Sequence, residues 1–240
     1  MKLIGDYTFE APRELVWEAL NDPTVLAKIM PGCEKLEQTG ENDYEGVLKI
    51  KVGPVQGTFQ GKIKLSEINA PASYKMQVDG QGAPGFVKGV GGVQLTEQDG
   101  KTVMHYDGDA QVGGRIASVG QRLIESSAKS ITNQSLEGLH QYIKAKSEAI
   151  AAAHAAADAA ATAAKSTEEA EATRQAAVAA AVAAVEAPKM EAPSQAKVAA
   201  TVAKDVMQDM VPANRRPLIY TIGAIVVILI LVLLFRSCGG

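Results

Sequence analysis

Five segments of alternating polar and apolar residues follow one another in the first half of the chain, and they constrain the fold more than any other feature. They span residues 44–52, 55–68, 74–80, 86–96 and 102–112. Side chains two residues apart lie on the same face of a β-strand, so each segment has one apolar face. Short turns such as Glu97-Gln98-Asp99-Gly100 join the segments. The series therefore predicts an antiparallel sheet with one buried face.

Helical patterns flank this series. Residues 2–11 alternate like a further strand and precede two short helical patterns at 12–20 and 22–30. Pro12 stands where a helix can begin, and the second pattern stops at Pro31. A last helix begins near Gly114, and its apolar residues recur at helical spacing: Ile116, Val119, Leu123, Ile124 and Ile131. This order of elements predicts an α+β fold in which an antiparallel curved sheet grips a long C-terminal helix.

The apolar faces of the predicted strands carry an unusual number of glycines. By the alternation, the inward glycines are Gly46, Gly57, Gly61, Gly89, Gly91 and Gly108. Glycine weakens a strand and offers no side chain to pack, so several of them facing inward indicate open space. The alternative is that they only let a strongly curved sheet bend, and the two interpretations are compatible. We infer a hollow interior.

A G-x-G-x-x-G pattern at Gly80, Gly82 and Gly85 invites comparison with dinucleotide-binding loops. Such loops need the glycines between a parallel strand and a helix N-terminus. Here they join two predicted strands, so we expect no nucleotide site. A hairpin with Pro84 and Phe86 exposed near its tip instead predicts a mobile lip over the hollow, and the alternative is a plain flexible turn.

Composition and charge exclude several classes of function. The net charge of -3 is small, and no basic patch indicates nucleic acid. Cys33 and Cys238 lie far apart, so neither a disulfide framework nor a zinc site is expected. His105, Asp107 and Asp109 share a strand face that the alternation turns outward, which predicts a solvated surface rather than a metal site. No paired carboxylates indicate acid–base chemistry. We therefore predict no catalytic residue and no metal ligand.

The C-terminal part divides the chain into three regions: a globular domain at 1–146, a spacer at 147–211 and an anchor at 212–240. The alanine-rich spacer is expected to be helical or disordered, and residues 198–210 carry an apolar residue at every fourth position. Residues 218–235 are uncharged and would span about 27 Å as a helix, so we predict one transmembrane helix. Arg215 and Arg216 precede it. This bias, and an N-terminus with no apolar signal, predict a single-pass protein of the cell inner membrane with the domain in the cytoplasm.

Five motifs in the globular part occur in the same order in a known family. They are YTFEAPRELVWEAL, PGCE, KVGPVQGTFQGKI, GFVKG and DAQVGGRIASVGQRLI. Over about the first 145 residues the chain resembles the carbon monoxide dehydrogenase subunit (CoxG) family, within the START-like helix-grip superfamily. The resemblance implies an apolar cavity between the sheet and the C-terminal helix. It also implies an accessory role beside a molybdenum-containing hydroxylase at the membrane.

These observations combine into one functional hypothesis and two alternatives. We predict a non-enzymatic protein with no tightly bound cofactor, which takes a quinone or lipid from the membrane and serves the hydroxylase. The alternatives are a recruitment or assembly factor without ligand, and a cyclase-like enzyme, which would need polar groups converging inside. The residues expected to line the cavity are Trp17, Leu26, Ile29, Met30, Val52, Val55, Phe59, Phe86, Val87, Gly89, Met104, Tyr106, Ala110, Ile116, Val119 and Leu123.

Overall fold

The computed structural model describes residues 1–161 and 167–191. The strands are β1 (Lys2–Phe9), β2 (Cys33–Gln38), β3 (Asp43–Val52), β4 (Val55–Asn69), β5 (Ser73–Gly82), β6 (Gly85–Gln98) and β7 (Lys101–Gly113). The helices are α1 (Arg13–Asn21), α2 (Pro23–Ile29), α3 (Gln121–Ala161) and α4 (Thr167–Ala183), with a 3-10 helix at Arg115–Val119. The predicted strands and helices of the globular part are all present.

The seven strands form one antiparallel sheet in the order β1-β7-β6-β5-β4-β3-β2. This confirms the predicted α+β fold with a curved antiparallel sheet and a long helix. Strand β2 is an addition to the predicted set. It is a short edge strand with Leu36 as its one large aliphatic residue, and its register shifts between Cys33 and Lys35. A local alternation pattern is too weak in such a strand to be recognised.

The main core lies between the inner face of the sheet, which carries α3, and the helices. Phe9 and Val16 are fully buried there, and Leu139 and Ile143 of α3 are almost as inaccessible. The ring of His140 stacks on Phe9 at a centroid distance of 6.1 Å, which extends the contact between α3 and β1. Burial of this helix face supplies most of the free energy that holds α3 on the sheet.

A second, smaller core closes the other end of the sheet, and we call it the end cluster. Its buried members are Val52, Val55, Phe59 and Ile116, and Ile50, Val87, Val112, Val119 and Leu123 pack against them. The 3-10 helix supplies Ile116 and Val119. Gly120, at a φ of 93°, separates this short helix from α3 and lets the chain change direction there.

The alanine-rich region folds back on itself instead of continuing away from the domain. Helix α3 passes through residues 146 and 147 without a break, and Arg174 of α4 forms an ion pair with Asp158 of α3. Ala153 and Ala157 are buried. A spacer without large side chains was expected to have nothing to bury, but alanine lets two helices approach closely and so makes a narrow buried seam of its own.

Within residues 1–161 and 167–191, no helix has the length and apolar character needed to cross a membrane. The predicted span at 218–235 and the apolar stripe at 198–210 lie outside the described residues.

Candidate ligand cavity

A cavity of about 490 Å³ lies between the inner face of the sheet and the helices. Its floor is built from three rows of residues that pair across neighbouring strands. The rows are Tyr106–Val93–Tyr74, then Leu3–Gly108–Gly91–Met76–Leu65, then Ala110–Gly89–Val78–Ile63–Tyr44. The main core lies at one end of these rows and the end cluster beyond the other.

Adjacent glycines in the middle row create much of the space. Gly91 and Gly108 are directly paired, so two neighbouring positions of the floor carry no side chain. At Gly108 an added Cβ atom would lie 3.7 Å from the nearest backbone oxygens, which is ordinary contact. At Gly91 it would lie 2.7 Å from the carbonyl oxygen of Asp107, which is too close. Gly108 therefore leaves room for a side chain, whereas Gly91 is required by the backbone.

The helices supply the roof of the cavity. The lining residues are Leu20 and Asn21 at the end of α1, Leu26 and Met30 on and just after α2, and Thr132 and Leu136 on α3. The amide of Asn21 donates a hydrogen bond to the carbonyl oxygen of Trp17 at 2.8 Å, so this polar side chain is already satisfied. The roof is consequently almost entirely apolar.

Three tyrosines bring hydroxyl groups to the cavity wall: Tyr44, Tyr74 and Tyr106. Burial, with a smaller effect from Tyr44, raises the pKa of the Tyr74 hydroxyl well above its ordinary value. Tyr74 is therefore neutral at physiological pH and can donate a hydrogen bond. The ring of Tyr106 lies against Gly5 of β1, where a Cβ atom would be 2.7 Å from the ring carbon that carries the hydroxyl. Gly5 thus allows this ring to lie flat along the floor.

Aspartate side chains do not enter the cavity, although the backbones of Asp107 and Asp109 border it. Their carbonyl oxygens lie beside Gly91 and Gly89, whereas the carboxylate of Asp107 lies on the opposite face beside Gly92. The polar atoms of the floor are therefore carbonyl acceptors and tyrosine hydroxyls. This set suits a neutral ligand with one or two polar atoms and offers no acid–base pair.

The structure brings together seven of the residues that the sequence assigned to a cavity: Leu26, Met30, Val87, Gly89, Met104, Tyr106 and Ala110. Six others, Val52, Val55, Phe59, Ile116, Val119 and Leu123, lie in the end cluster. Ile29 is part of the main core and Trp17 packs against it, with its ring 5.6 Å from that of Tyr74. Phe86 lies on the outer face of the sheet, where it is 40% exposed.

Sequence analysis did not assign several lining residues to the cavity, and strand β5 supplies three of them. Tyr74, Met76 and Val78 alternate with Lys75 and Gln77, so the same period-two argument that placed Gly89 inward places them inward too. The helical liners Thr132 and Leu136 carried no comparable signal, because a polar residue one turn before a leucine is ordinary on a partly buried helix.

The glycine-rich turn between β5 and β6 is packed down, and the prediction that Pro84 is exposed in a mobile lip was wrong. Pro84 is fully buried with its ring against Gly57 of β4, and its carbonyl oxygen accepts a hydrogen bond of 2.8 Å from the Ile116 N–H. Gly85, at a φ of 139°, lies in close contact with the carbonyl oxygen of Gly113. Glycine here permits close backbone packing rather than mobility. As expected, the motif joins two antiparallel strands.

The other candidate groups lie outside the cavity. His105 is paired with Asp6 at 2.7 Å on the exposed face of the sheet, as the alternation predicted. Partial burial raises the pKa of the Cys33 thiol, which disfavours the reactive thiolate. Among the described residues, no group of three or more His, Cys, Asp or Glu side chains could hold a metal ion.

Comparison with known proteins adds the family to this geometry. Residues 5–144 match the family model of the carbon monoxide dehydrogenase subunit CoxG. A crystal structure of a conserved protein from Geobacillus kaustophilus is 34% identical, covers 60% of this chain and 95% of its own, and superimposes with a TM-score of 0.58. A START superfamily protein from Mycobacterium smegmatis is 11% identical, with coverage of 60% and 97% and a TM-score of 0.47. An aromatase/cyclase from Streptomyces sp. R1128 is 19% identical, with coverage of 60% and 93% and a TM-score of 0.46.

A search of curated proteins found no match. The family match covers more than half of the chain and ends close to the point where the alanine-rich region begins. The chain belongs to the carbon monoxide dehydrogenase subunit (CoxG) family.

Proposed function

We propose that this protein binds a quinone or lipid from the membrane in its cavity and serves a molybdenum hydroxylase of the carbon monoxide dehydrogenase type. It brings the enzyme to the membrane, delivers quinone to it, or does both. The observation that carries the proposal is the apolar cavity of about 490 Å³ under α2 and α3. Protein interiors normally contain few voids larger than a water molecule, and small-molecule sites measure about 300–1,000 Å³.

The chemistry of the wall supports an apolar ligand with a small polar head. Each methylene group that leaves water for such a wall contributes about 0.8 kcal/mol. The carbonyl oxygens of a quinone would accept hydrogen bonds from tyrosine hydroxyls, and Tyr74 is kept in its neutral, donating form by burial. The hydroxylase enters the proposal through the description of the family, which names carbon monoxide dehydrogenase.

The direct experiment is organic extraction of the purified full-length chain, followed by mass spectrometry, with empty detergent micelles as the blank. A quinone or lipid in stoichiometric amount supports the proposal. A chain that carries no apolar molecule but still captures the hydroxylase would replace it with the recruitment alternative.

A variant that fills the cavity tests the location of the ligand. Gly108→Leu places a side chain in the middle row of the floor, where the Cβ atom meets only ordinary contacts. We expect the amount of extracted ligand to fall about tenfold while the fold is retained, because an open site tolerates added volume better than a packed one. Gln77→Leu adds the same side chain to the exposed face of the neighbouring floor strand β5 and is the matched control. Equal ligand content in the two variants would place the ligand elsewhere.

The cyclase-like alternative makes a different prediction. An enzyme of that kind needs groups that exchange protons with the substrate, and the side chains that line this cavity include hydroxyls and an amide but no inward carboxylate or imidazole. Recovery of the extracted molecule in chemically changed form after incubation with the protein alone would favour the enzyme.

A further inference from the structure

Residues 185–190, which follow α4, return to the domain and lie across α2; we call them the strap. The N–H of Met190 donates a hydrogen bond of 2.9 Å to the carbonyl oxygen of Lys28. The Lys28 ammonium group lies 2.9 Å from a carboxylate oxygen of Glu186. Ala187 is only 8% exposed, and Val185 and Met190 pack against the main core. The strap is therefore held by a backbone bond, an ion pair and buried apolar contacts.

Helix α2 depends on contacts of this kind. It has seven residues, and helices shorter than about 12 residues are marginal in water unless tertiary packing supports them. The last four carbonyl groups of any helix lack a partner within the helix. Lys28 contributes one of those four, and the strap supplies its partner. Loss of the strap would leave the C-terminal end of α2 with fewer bonds and a newly exposed side.

Gly138 lets α2 and the strap approach α3 at the same point. A Cβ atom at this position would lie 3.0 Å from the side chain of Met190 and 3.1 Å from that of Ile29. Both distances are shorter than normal van der Waals contact, so any larger residue would force the strap, α2 or both away from α3. The three elements therefore meet at a notch made by one glycine.

We propose that the strap holds α2 closed over the cavity, and that its release opens the cavity beside α2. Leu26 and Met30, on and next to α2, line the cavity, so displacement of this helix removes part of the roof. The chain runs on from the strap into residues 192–240, which contain the predicted span. Binding of those residues to a membrane or a partner thus acts on the strap. The functional meaning rests on the proposed ligand binding, but the closing movement is measured without a ligand.

The test measures how fast a buried cysteine is labelled by a water-soluble maleimide in the full-length chain, purified in detergent. Cys33→Ser and Cys238→Ser remove the native thiols. Val25→Cys reports on α2, and in a separate protein Val52→Cys reports on the end cluster, since both positions are buried in the native chain. Ala187→Asp releases the strap, and Gly138→Ala disturbs it from the side of α3. Lys189→Asp places the same charge on an exposed strap position and is the control.

We expect Ala187→Asp and Gly138→Ala to raise the labelling rate at position 25 about tenfold, because α2 opens locally, and to leave position 52 within about twofold. Lys189→Asp should leave both rates within about twofold. Unchanged labelling at position 25 would overturn the strap, and an equal rise at both positions would overturn it too, since that pattern means general unfolding. A chain that binds no ligand but shows the selective rise would contradict the proposed function and leave the strap intact.

Discussion

Gly57 and Gly61 are both inward-facing residues of β4, yet a Cβ atom would meet very different surroundings at the two positions. At Gly57 it would collide with the ring of Pro84, whose Cδ atom would be 2.7 Å away. At Gly61 the nearest atom is the carbonyl oxygen of Asp79 at 4.0 Å. The first glycine makes room for a buried neighbour, and the second leaves open space. A shared inward position thus covers two physical roles.

Alanine at these two positions should separate the roles. Gly57→Ala is expected to lower the free energy of unfolding by about 1–3 kcal/mol, because Pro84 is buried and cannot move aside easily. Gly61→Ala should leave it unchanged or raise it by up to about 1 kcal/mol, because alanine restricts the unfolded chain. Urea unfolding of both variants measures the difference. Equal losses would mean that Pro84 is not fixed against β4.

Tyr74 gives the protein a predictable weakness at high pH. Burial holds the pKa of its hydroxyl above the ordinary value of about 10, so the unfolded chain loses this proton first as the pH rises. Below pH 10 the hydroxyl is neutral in both states and contributes no pH dependence. Above it, the free energy of unfolding should fall by up to about 1.4 kcal/mol per pH unit. The stability is therefore lost on the alkaline side.

The measurement is urea unfolding between about pH 9 and pH 11 for the native protein and for Tyr74→Phe. Phenylalanine keeps the ring and removes the proton, so the variant should lose less stability over this range. Parallel curves for the two proteins would show that Tyr74 ionises equally in the folded and unfolded states.

Among the elements, α2 combines a short length with a strong start signal. The Asp22 carboxylate accepts hydrogen bonds from the N–H groups of Thr24 at 2.8 Å and Val25 at 3.3 Å, and Pro23 occupies the first helical position. This cap satisfies donors that the helix itself cannot satisfy. A strong beginning and a strap at the end together hold seven residues in helical form over the cavity.

Removal of the cap should weaken this helix. We expect Asp22→Ala to lower the free energy of unfolding by about 0.5–2 kcal/mol, whereas Asp22→Asn, which keeps an oxygen acceptor, should retain most of the stability. Thermal and urea unfolding of the two variants provide the comparison. If asparagine costs as much as alanine, the capping bond is not what stabilises the start of α2.

At the scale of the whole molecule, residues 218–235 are the stretch that predicts attachment to a membrane, because they are uncharged and long enough to span it. We expect the full-length protein to resist extraction from membranes by alkaline carbonate. A chain that ends after Pro212 should appear in the soluble fraction. Release of the intact chain by carbonate alone would refute the anchor.

The fold of the globular part could be predicted because its signals are local. Alternation with a period of two identifies each long strand and its buried face, as in 55–68 and 102–112, and a proline or glycine marks where elements begin and end. The same alternation placed Gly89, Gly91 and Gly108 on the inner face, and the cavity lies beside them. Residue order was sufficient for these conclusions, because each one depends on near neighbours in the chain.

The position of the cavity along the sheet was decided by tertiary structure. Alternation assigns a residue to a face, but cross-strand register decides that Gly91 meets Gly108, and that Val55 and Phe59 meet the 3-10 helix and become a packed end cluster. The buried turn at Pro84 and the strap across α2 likewise depend on contacts between residues far apart in sequence. The sequence by itself determined which residues face inward. Only the pairing of distant segments determined which of them pack together and which enclose space.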